Sequence, residues 1–264
     1  MIREYGSRPF NVAVIHGGPG APGYMAPVAR ELASERGVIE PLQSARTVRD
    51  QINELISELE QNGDRPMTLI GSSWGAMLAL FCAAERKAPV DKVIMVGSGV
   101  FDANSSERVS ERRLDRLDDQ DRRKYHHLQE SMESDSNPED PYLRRAFGKL
   151  LEQSDHYAPL TTDLEVLAIQ LDVFQAVWSD YVDIRDNGDS LRETVGRVEV
   201  PVTVIHGDHD PHPIDGIVPF LQSCLTLSEV YVLERCGHYP WIERFARDRF
   251  FEILRKEILS SEDS

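Results

Sequence analysis

The amino-acid sequence predicts an α/β fold, a mostly parallel sheet flanked by helices, with a block of helices inserted late in the chain. Three observations lead there. Short apolar runs at 11–15, 67–70 and 92–97 alternate with segments of helical periodicity, and such alternation builds a parallel sheet through right-handed crossovers. The run Val93-Ile94-Met95-Val96 is continuously apolar, as strands buried on both faces are. From Asp102 to Arg197 no strand pattern is found, and 22 acidic with 13 basic residues among these 96 positions predict helices with much of their surface in water. The expected division is a core of residues 1–101 and 198–264 around a helical cap of 102–197.

In chain order, the first clear strand is 11–15, and the residues before it leave little room for a strand hairpin. It ends in His16-Gly17-Gly18-Pro19-Gly20-Ala21-Pro22-Gly23, a tight loop whose backbone must take conformations closed to most residues. A helix over about 25–35 and an extended piece near 38–42 follow. Thr47 is placed to cap a helix whose Val48, Ile52, Leu55, Ile56 and Leu59 share one face until Asn62-Gly63 stops it. The strand 67–70 then leads through Gly71-Ser72-Ser73-Trp74-Gly75 into the helix formers from Ala76 onward.

In the insertion, Leu114, Leu117, Tyr125, Leu128 and Met132 suggest one amphipathic helix and 142–151 a second. Thr162-Asp163-Leu164-Glu165 reads as a capping box for a helix with Leu164, Leu167, Leu171, Phe174, Trp178 and Tyr181 on one stripe, best explained by packing. The sheet resumes at 202–205, followed by His206-Gly207-Asp208-His209-Asp210-Pro211. A helix after Pro213 and a strand at 229–233 lead into Cys236-Gly237-His238. The closing helix is expected to carry Trp241, Phe245, Phe250, Leu254 and Ile258, with Tyr239, Trp241 and Glu243 packing and capping it.

Composition narrows the function. A chain of 264 residues with 41% hydrophobic content can bury a substantial core. Its 45 acidic against 29 basic residues give a net charge of −16, which argues against nucleic acid and anionic membrane as partners. No run approaches the roughly 18 apolar residues of a membrane span, and residues 1–6 lack a signal-peptide pattern, so a soluble cytoplasmic protein is expected. Cys82, Cys224 and Cys236 lack C-x-x-C spacing and read as buried free thiols.

Three loops begin where parallel strands end, the place where open α/β sheets bind ligands. In G-x-S-x-G, a strand turns sharply into a helix and leaves the hydroxyl of Ser73 on the corner as a nucleophile, while Ser72 points away from the crevice. A serine hydroxyl needs a base, and His238 after the last strand suits that task. Asp210 would accept the other imidazole N–H and fix the tautomer. Asp208 and Asp102 are the alternative acids. The backbone N–H of Trp74, after the nucleophile, and that of Gly18 can hold an oxyanion, since Pro19 has no N–H to give. His16 is expected to shape its loop, and Trp74 to wall the serine. His206, Asp208, His209, Asp210 and His212 are dense enough to suggest metal, but consecutive residues in a strand and turn diverge, so neither metal nor cofactor is predicted.

The order Ser73, Asp210, His238 and the elbow resemble the α/β hydrolase superfamily along nearly the whole chain. His-Gly-Gly-Pro-Gly at 16–20 and Ser-Trp-Gly at 73–75 are similar to its prolyl iminopeptidase branch, although Ser72 stands where that branch usually has Gly. The resemblance implies an α/β-hydrolase fold with a helical cap. It also implies hydrolysis of a small ester, amide or short peptide through an acyl-enzyme. In that branch acidic lid residues bind a free α-amino group; among so many acids in 102–197 none is singled out.

Overall fold

The computed structural model describes residues 1–133, 141–160, 167 and 170–259. Seven strands form one sheet: β1 (Ile2–Tyr5), β2 (Phe10–Ile15), β3 (Gly37–Pro41), β4 (Met67–Ser72), β5 (Val90–Val96), β6 (Val202–Gly207) and β7 (Leu227–Leu233). Their order is β1-β3-β2-β4-β5-β6-β7, with β1 antiparallel to β3 and every other pair parallel. The ten residues before Asn11 thus hold a single edge strand rather than a hairpin. β4, which leads into Ser73, lies at the centre with three strands on either side.

The pleat sorts alternate side chains into two cores. Ala13, Ile15, Leu69, Val93, Met95 and Val204 face one side, where α2 (Val48–Asn62), α3 (Trp74–Ala83) and α9 (Ile214–Cys224) cover them. Val12, Val14, Ile70, Ile94, Val96 and Ile205 face the other, under α1 (Ala26–Leu32) and α10 (Arg247–Leu259). The α2 stripe forms as its periodicity predicts. Thr47 accepts the Asp50 N–H at 3.0 Å as its cap, and Leu55 and Leu59 are wholly buried, worth about 2 kcal/mol each.

Between β5 and β6 lie α4 (Ala103–Asp115), α5 (Asp119–Glu133), α6 (Pro141–Asp155), α7 (Leu171–Asp186) and α8 (Gly188–Val195). The single helix expected across Leu114 to Met132 is two. Asp118 breaks it, its carboxylate accepting the N–H groups of Gln120 and Asp121 and starting α5 afresh. Leu117, Tyr125, Leu128 and Leu150 bury a small core of their own. Leu171, Phe174, Trp178 and Tyr181 do fall on α7, with Tyr181 fully buried and Phe174 39% exposed. Leu167 precedes that helix, and the capping box at 162–165 lies outside the described residues.

Two further expectations change. Trp241 belongs to a single 3-10 turn, Pro240–Ile242, and Phe245 to the connection after it, where it is 48% exposed; α10 begins only at Arg247. Of the three free thiols, Cys82 and Cys236 are buried and Cys224 is half-buried. Among the described residues no helix is long and apolar enough to cross a membrane.

One buried ion pair ties α10 to the sheet. Lys92 Nζ lies 2.8 Å from Glu257 Oε2, and that carboxylate also accepts from Thr203 Oγ1 and Tyr231 Oη, both at 2.9 Å. Burial pushes the Glu257 pKa up, but the bonds from Lys92, Tyr231 and Thr203 outweigh it and leave the group below its usual range. Removing Lys92 takes away the buried charge that offsets the carboxylate's own. Lys92→Met is expected to cost about 3–5 kcal/mol of stability, read as a lower urea midpoint with an unchanged slope.

Candidate functional site

Ser73 sits between β4 and α3 at φ 53°, ψ −117°, a left-handed backbone that side chains rarely take and that costs on the order of 1–3 kcal/mol. Close packing holds it there. A Cβ on Gly75 would run into the carbonyl oxygens of Ile15 and His16, so only glycine lets α3 approach the end of β2. From the other side, a Cβ on Gly17 would stand 2.9 Å from that of Ser73. The Ser73 N–H donates to the carbonyl of Val96 at 3.0 Å, which docks the turn on the end of β5. The Ser72 side chain is buried among the strands instead.

Asp210 and His238 meet beside this turn. His238 Nδ1 donates to Asp210 Oδ2 at 2.7 Å. Both stand over Gly97, the residue after Val96, where a Cβ would lie 3.1 Å from Asp210 Oδ2 and 3.2 Å from His238 Nδ1. Gly97 has φ +49°, so space and backbone alike call for glycine. The other acids are engaged elsewhere. Asp208 Oδ1 accepts the N–H of Cys236, and Asp102 caps α4 through the N–H and hydroxyl of Ser105.

The electrostatics set these groups apart. Burial alone would protonate Asp210, but His238, His206 and His212 around it hold its pKa well below the carboxylate norm. Burial would likewise keep His238 neutral, and the Asp210 carboxylate reverses this, raising the imidazole above its ordinary 6.5. A carboxylate carries no proton to share, so neutral His238 holds its hydrogen on Nδ1 and leaves Nε2 as a base.

Gly18 has φ +52°, and among the described residues neither Gly18 nor Trp74 spends its N–H on a turn, loop or cap bond. His16 shapes its loop as expected. It is buried, its Nδ1 bonds the Gly17 carbonyl at 3.0 Å, and desolvation pushes its pKa down to about 4. The Trp74 ring, expected as a wall beside the serine, turns instead onto Tyr181 and Phe81 and donates from Nε1 to Gln51 at 2.8 Å. It joins the elbow helix to α2 and α7.

The five-residue cluster at the end of β6 and just beyond it converges only in part. His209 packs on Tyr157, and His206 Nε2 donates to the His212 carbonyl at 2.9 Å. Asp210, His212 and His238 do offer ligand atoms within 4.8 Å of one another. Those that meet are already paired, for Asp210 takes Nδ1–H from both rings.

A second feature carries no local sequence signal. The segment between β5 and β6 is tied to the loops of His238 and of Gly20 by main-chain bonds and by the Glu243 carboxylate. His238 N–H donates to the Asp155 carbonyl at 2.8 Å, and the buried Glu243 carboxylate accepts the N–H groups of Tyr157, Ala158 and Gly237. Glu243 was expected to cap the last helix; its side chain spans to the insertion instead. Arg113 of α4 grips Asp155 through two bonds, at 2.7 and 2.9 Å. At the opposite side, Gln170 N–H donates to the Gly20 carbonyl and Leu167 N–H to that of Pro22.

The profile of the alpha/beta hydrolase family matches residues 12–253. A proline iminopeptidase of Lactobacillus crispatus (strain ST1) is 21% identical over 271 aligned residues, covering 93% of this chain and 88% of that protein. The crystal structure of VinJ matches with a TM-score of 0.70 at 18% identity, over 98% of this chain and 94% of that one. A carboxylesterase structure from the ammonia-oxidizing thaumarchaeon Nitrososphaera gargenis matches with a TM-score of 0.61 at 17% identity, over 100% and 95%. At such identities the structural likeness speaks for the fold alone.

The two imidazoles on Asp210 are expected to titrate in a fixed order as pH falls. His238 takes its proton first, above 6.5, while burial keeps His212 neutral to about 4. Histidine side-chain NMR across that range checks this, and His212 charging first would contradict it.

Proposed function

The chain belongs to the alpha/beta hydrolase family, and from that premise we propose a serine hydrolase that cleaves a small ester or amide through an acyl-enzyme on Ser73. One observation carries the reading: the Asp210–His238 pair, closed at 2.7 Å, stands over Gly97 next to a serine held in a left-handed turn. Family membership and a curated proline iminopeptidase relative support hydrolysis as the activity.

In the proposed reaction, Ser73 Oγ attacks the substrate carbonyl carbon as His238 Nε2 takes the hydroxyl proton. Asp210 stabilises the imidazolium that forms, without accepting its proton. The carbonyl π pair moves to oxygen, which lies against the N–H groups of Gly18 and Trp74. Each such donor is worth about 3 kcal/mol at the transition state, roughly 10²-fold in rate. When the tetrahedral intermediate collapses, the imidazolium gives its proton to the departing alkoxide or amine. Water then repeats the sequence on the acyl-Ser73 ester, releasing the acid and restoring the serine. No step calls for a metal or cofactor.

Residues 102–197 act in this reading as a helical cap whose inner face, together with the loop from His16 to Gly20, shapes the acyl and leaving-group sites. The bonds from Asp155, Tyr157, Ala158 and Gln170 to the catalytic loops support that role. A net charge of −16 favours neutral or cationic small substrates over nucleic acid.

A second reading, a prolyl-type aminopeptidase, rests on His-Gly-Gly-Pro-Gly, Ser-Trp-Gly and the Lactobacillus crispatus relative. A binding module that keeps the fold without catalysis is disfavoured by the intact Asp210–His238 pair.

A fluorophosphonate is expected to label Ser73, with Ser73→Ala losing labelling and several orders of magnitude of turnover. Labelling that persists in the variant would overturn the assignment. Because the base must be unprotonated and its pKa is raised, the labelling rate should climb with pH through a limb above 6.5. Proline β-naphthylamide and p-nitrophenyl acetate, tested side by side, separate the two enzymatic readings: turnover of the ester alone is expected for the first, and preference for the amide favours the second.

A further inference from the structure

Asp210 holds two histidines, and catalysis as proposed above uses only one. Its Oδ2 faces His238. Its Oδ1 accepts from His212 twice, from the backbone N–H and from Nδ1, each at 2.8 Å. The His212 ring lies nearly parallel to that of His238, with centroids 4.4 Å apart and planes 22° from one another. We propose that His212 is a positioning residue, whose two donations lock the Asp210 carboxylate with Oδ2 on His238 and whose ring covers one face of the catalytic imidazole. The inference rests on Ser73, Asp210 and His238 working as proposed.

Each part of the surroundings fits a fixed second imidazole rather than a filler. Prolines 211 and 213 flank His212 and restrict its backbone to extended conformations. His206, buried at the end of β6, donates from Nε2 to the His212 carbonyl at 2.9 Å, so the residue is held from behind as well. The side chain is only 12% exposed, buried enough to be ordered. An unlocked carboxylate would be free to rotate about its Cβ–Cγ bond. Rotation would lengthen the bond to His238 Nδ1 and release the imidazole from its tautomer and direction, which is how a misoriented acid slows this kind of base.

The ring stack has an electrostatic condition. When His238 becomes an imidazolium, a second cation over its face would repel it. Burial pushes the His212 pKa down to about 4, and the neighbouring positive charges of His238 and Arg113 add to this against Asp210. The covering ring is therefore neutral throughout the working range, and its π face meets the transient cation favourably.

Two properties of His212 can be separated by substitution. Asn places an N–H donor where Nδ1 stands but has no ring, and Leu fills the space with no side-chain donor, leaving only the backbone N–H on Oδ1. The readouts are the second-order rate of fluorophosphonate labelling of Ser73 and the far-downfield proton resonance of the His238 Nδ1–H bond to Asp210. His212→Leu is expected to lower the labelling rate roughly 10- to 100-fold, the range found when partners that orient a reactive group are lost, and to abolish the resonance. His212→Asn should keep the resonance and restore most of the rate. Should the Leu variant fail to fold, His212→Gln replaces it, because its donor reaches the Nε2 position and misses Asp210. Gln is then expected to lose rate and resonance while Asn keeps them. Wild-type rate and resonance in the variant without a side-chain donor on Asp210, or equal impairment with and without that side-chain donor, would overturn the proposal. If wild-type Ser73 fails to label, the nucleophile reading falls, and the resonance alone still decides what His212 does.

Discussion

The structure depends on one close approach, that of the start of α3 to the end of β2. There is no room for a side chain between Gly75 and the carbonyls of Ile15 and His16. This squeeze forces the chain leaving β4 to reverse within Ser73, at the expense of a left-handed backbone there. It also places Gly17, in the loop after β2, against the serine, where a Cβ would stand 2.9 Å from that of Ser73. The strain does not relax because the surroundings pin it: two hydrophobic cores fix β4 between its neighbours, and the Ser73 N–H is taken by Val96. Backbone strain of this size, in an otherwise well-packed sheet, persists only where the fold over-determines it.

Around that corner the charges are arranged by competition between burial and pairing. Asp210 is nearly inaccessible, and in isolation it would be a neutral acid. Four groups, two N–H donors of His212 among them, make the ionised form the stable one. The resulting carboxylate then acts unequally on its two imidazoles. It raises the pKa of His238 and fails to overcome the desolvation of His212, so one ring is ready to exchange a proton and its neighbour is inert. The same burial gives opposite outcomes although Arg113 lowers both rings, because His238 has Asp155 as a second negative neighbour, whereas His212 has the positive His238 beside it.

Much of this was legible in the sequence for a simple reason. A strand, a glycine-bounded turn and a helix are local features, and the residues at 67–83 announce all three. Asp210 could be preferred over Asp208 and Asp102 only by position after a strand; deciding among them needed the direction of each side chain, which a turn of five polar residues does not encode. The break between α4 and α5 was missed because Leu117 keeps the apolar rhythm across it, while Asp118 ends the helix by bonding its own backbone neighbours. Trp241 and Phe245 fitted a helical stripe with Phe250 although Pro240 and the following turn keep them out of α10. The pairing of residues 155–160 with 237–244 left no mark, since main-chain bonds place few demands on side chains.

That pairing has a consequence for how the two parts of the molecule act on each other. The backbone between β5 and β6 supplies the carbonyl that holds the N–H of His238, and its N–H groups satisfy a buried carboxylate shared with Gly237. To move away, it would have to expose Glu243 and leave the His238 loop without its partner, at a cost of roughly 1–3 kcal/mol for each buried group stranded. The Trp74–Tyr181 contact adds an apolar tie between the elbow helix and α7, and Tyr181 is itself anchored through its hydroxyl to the Val100 carbonyl at 2.6 Å. Opening a path to Ser73 by rigid displacement of all five helices is therefore expensive. The exposed side chains of Phe174 and Tyr157 on this segment can swing without breaking a main-chain bond. Tyr157 lies beside Asp155, whose carbonyl holds the N–H of His238. Changes in the backbone of this segment will therefore also disturb the His238 loop that Asp155 holds.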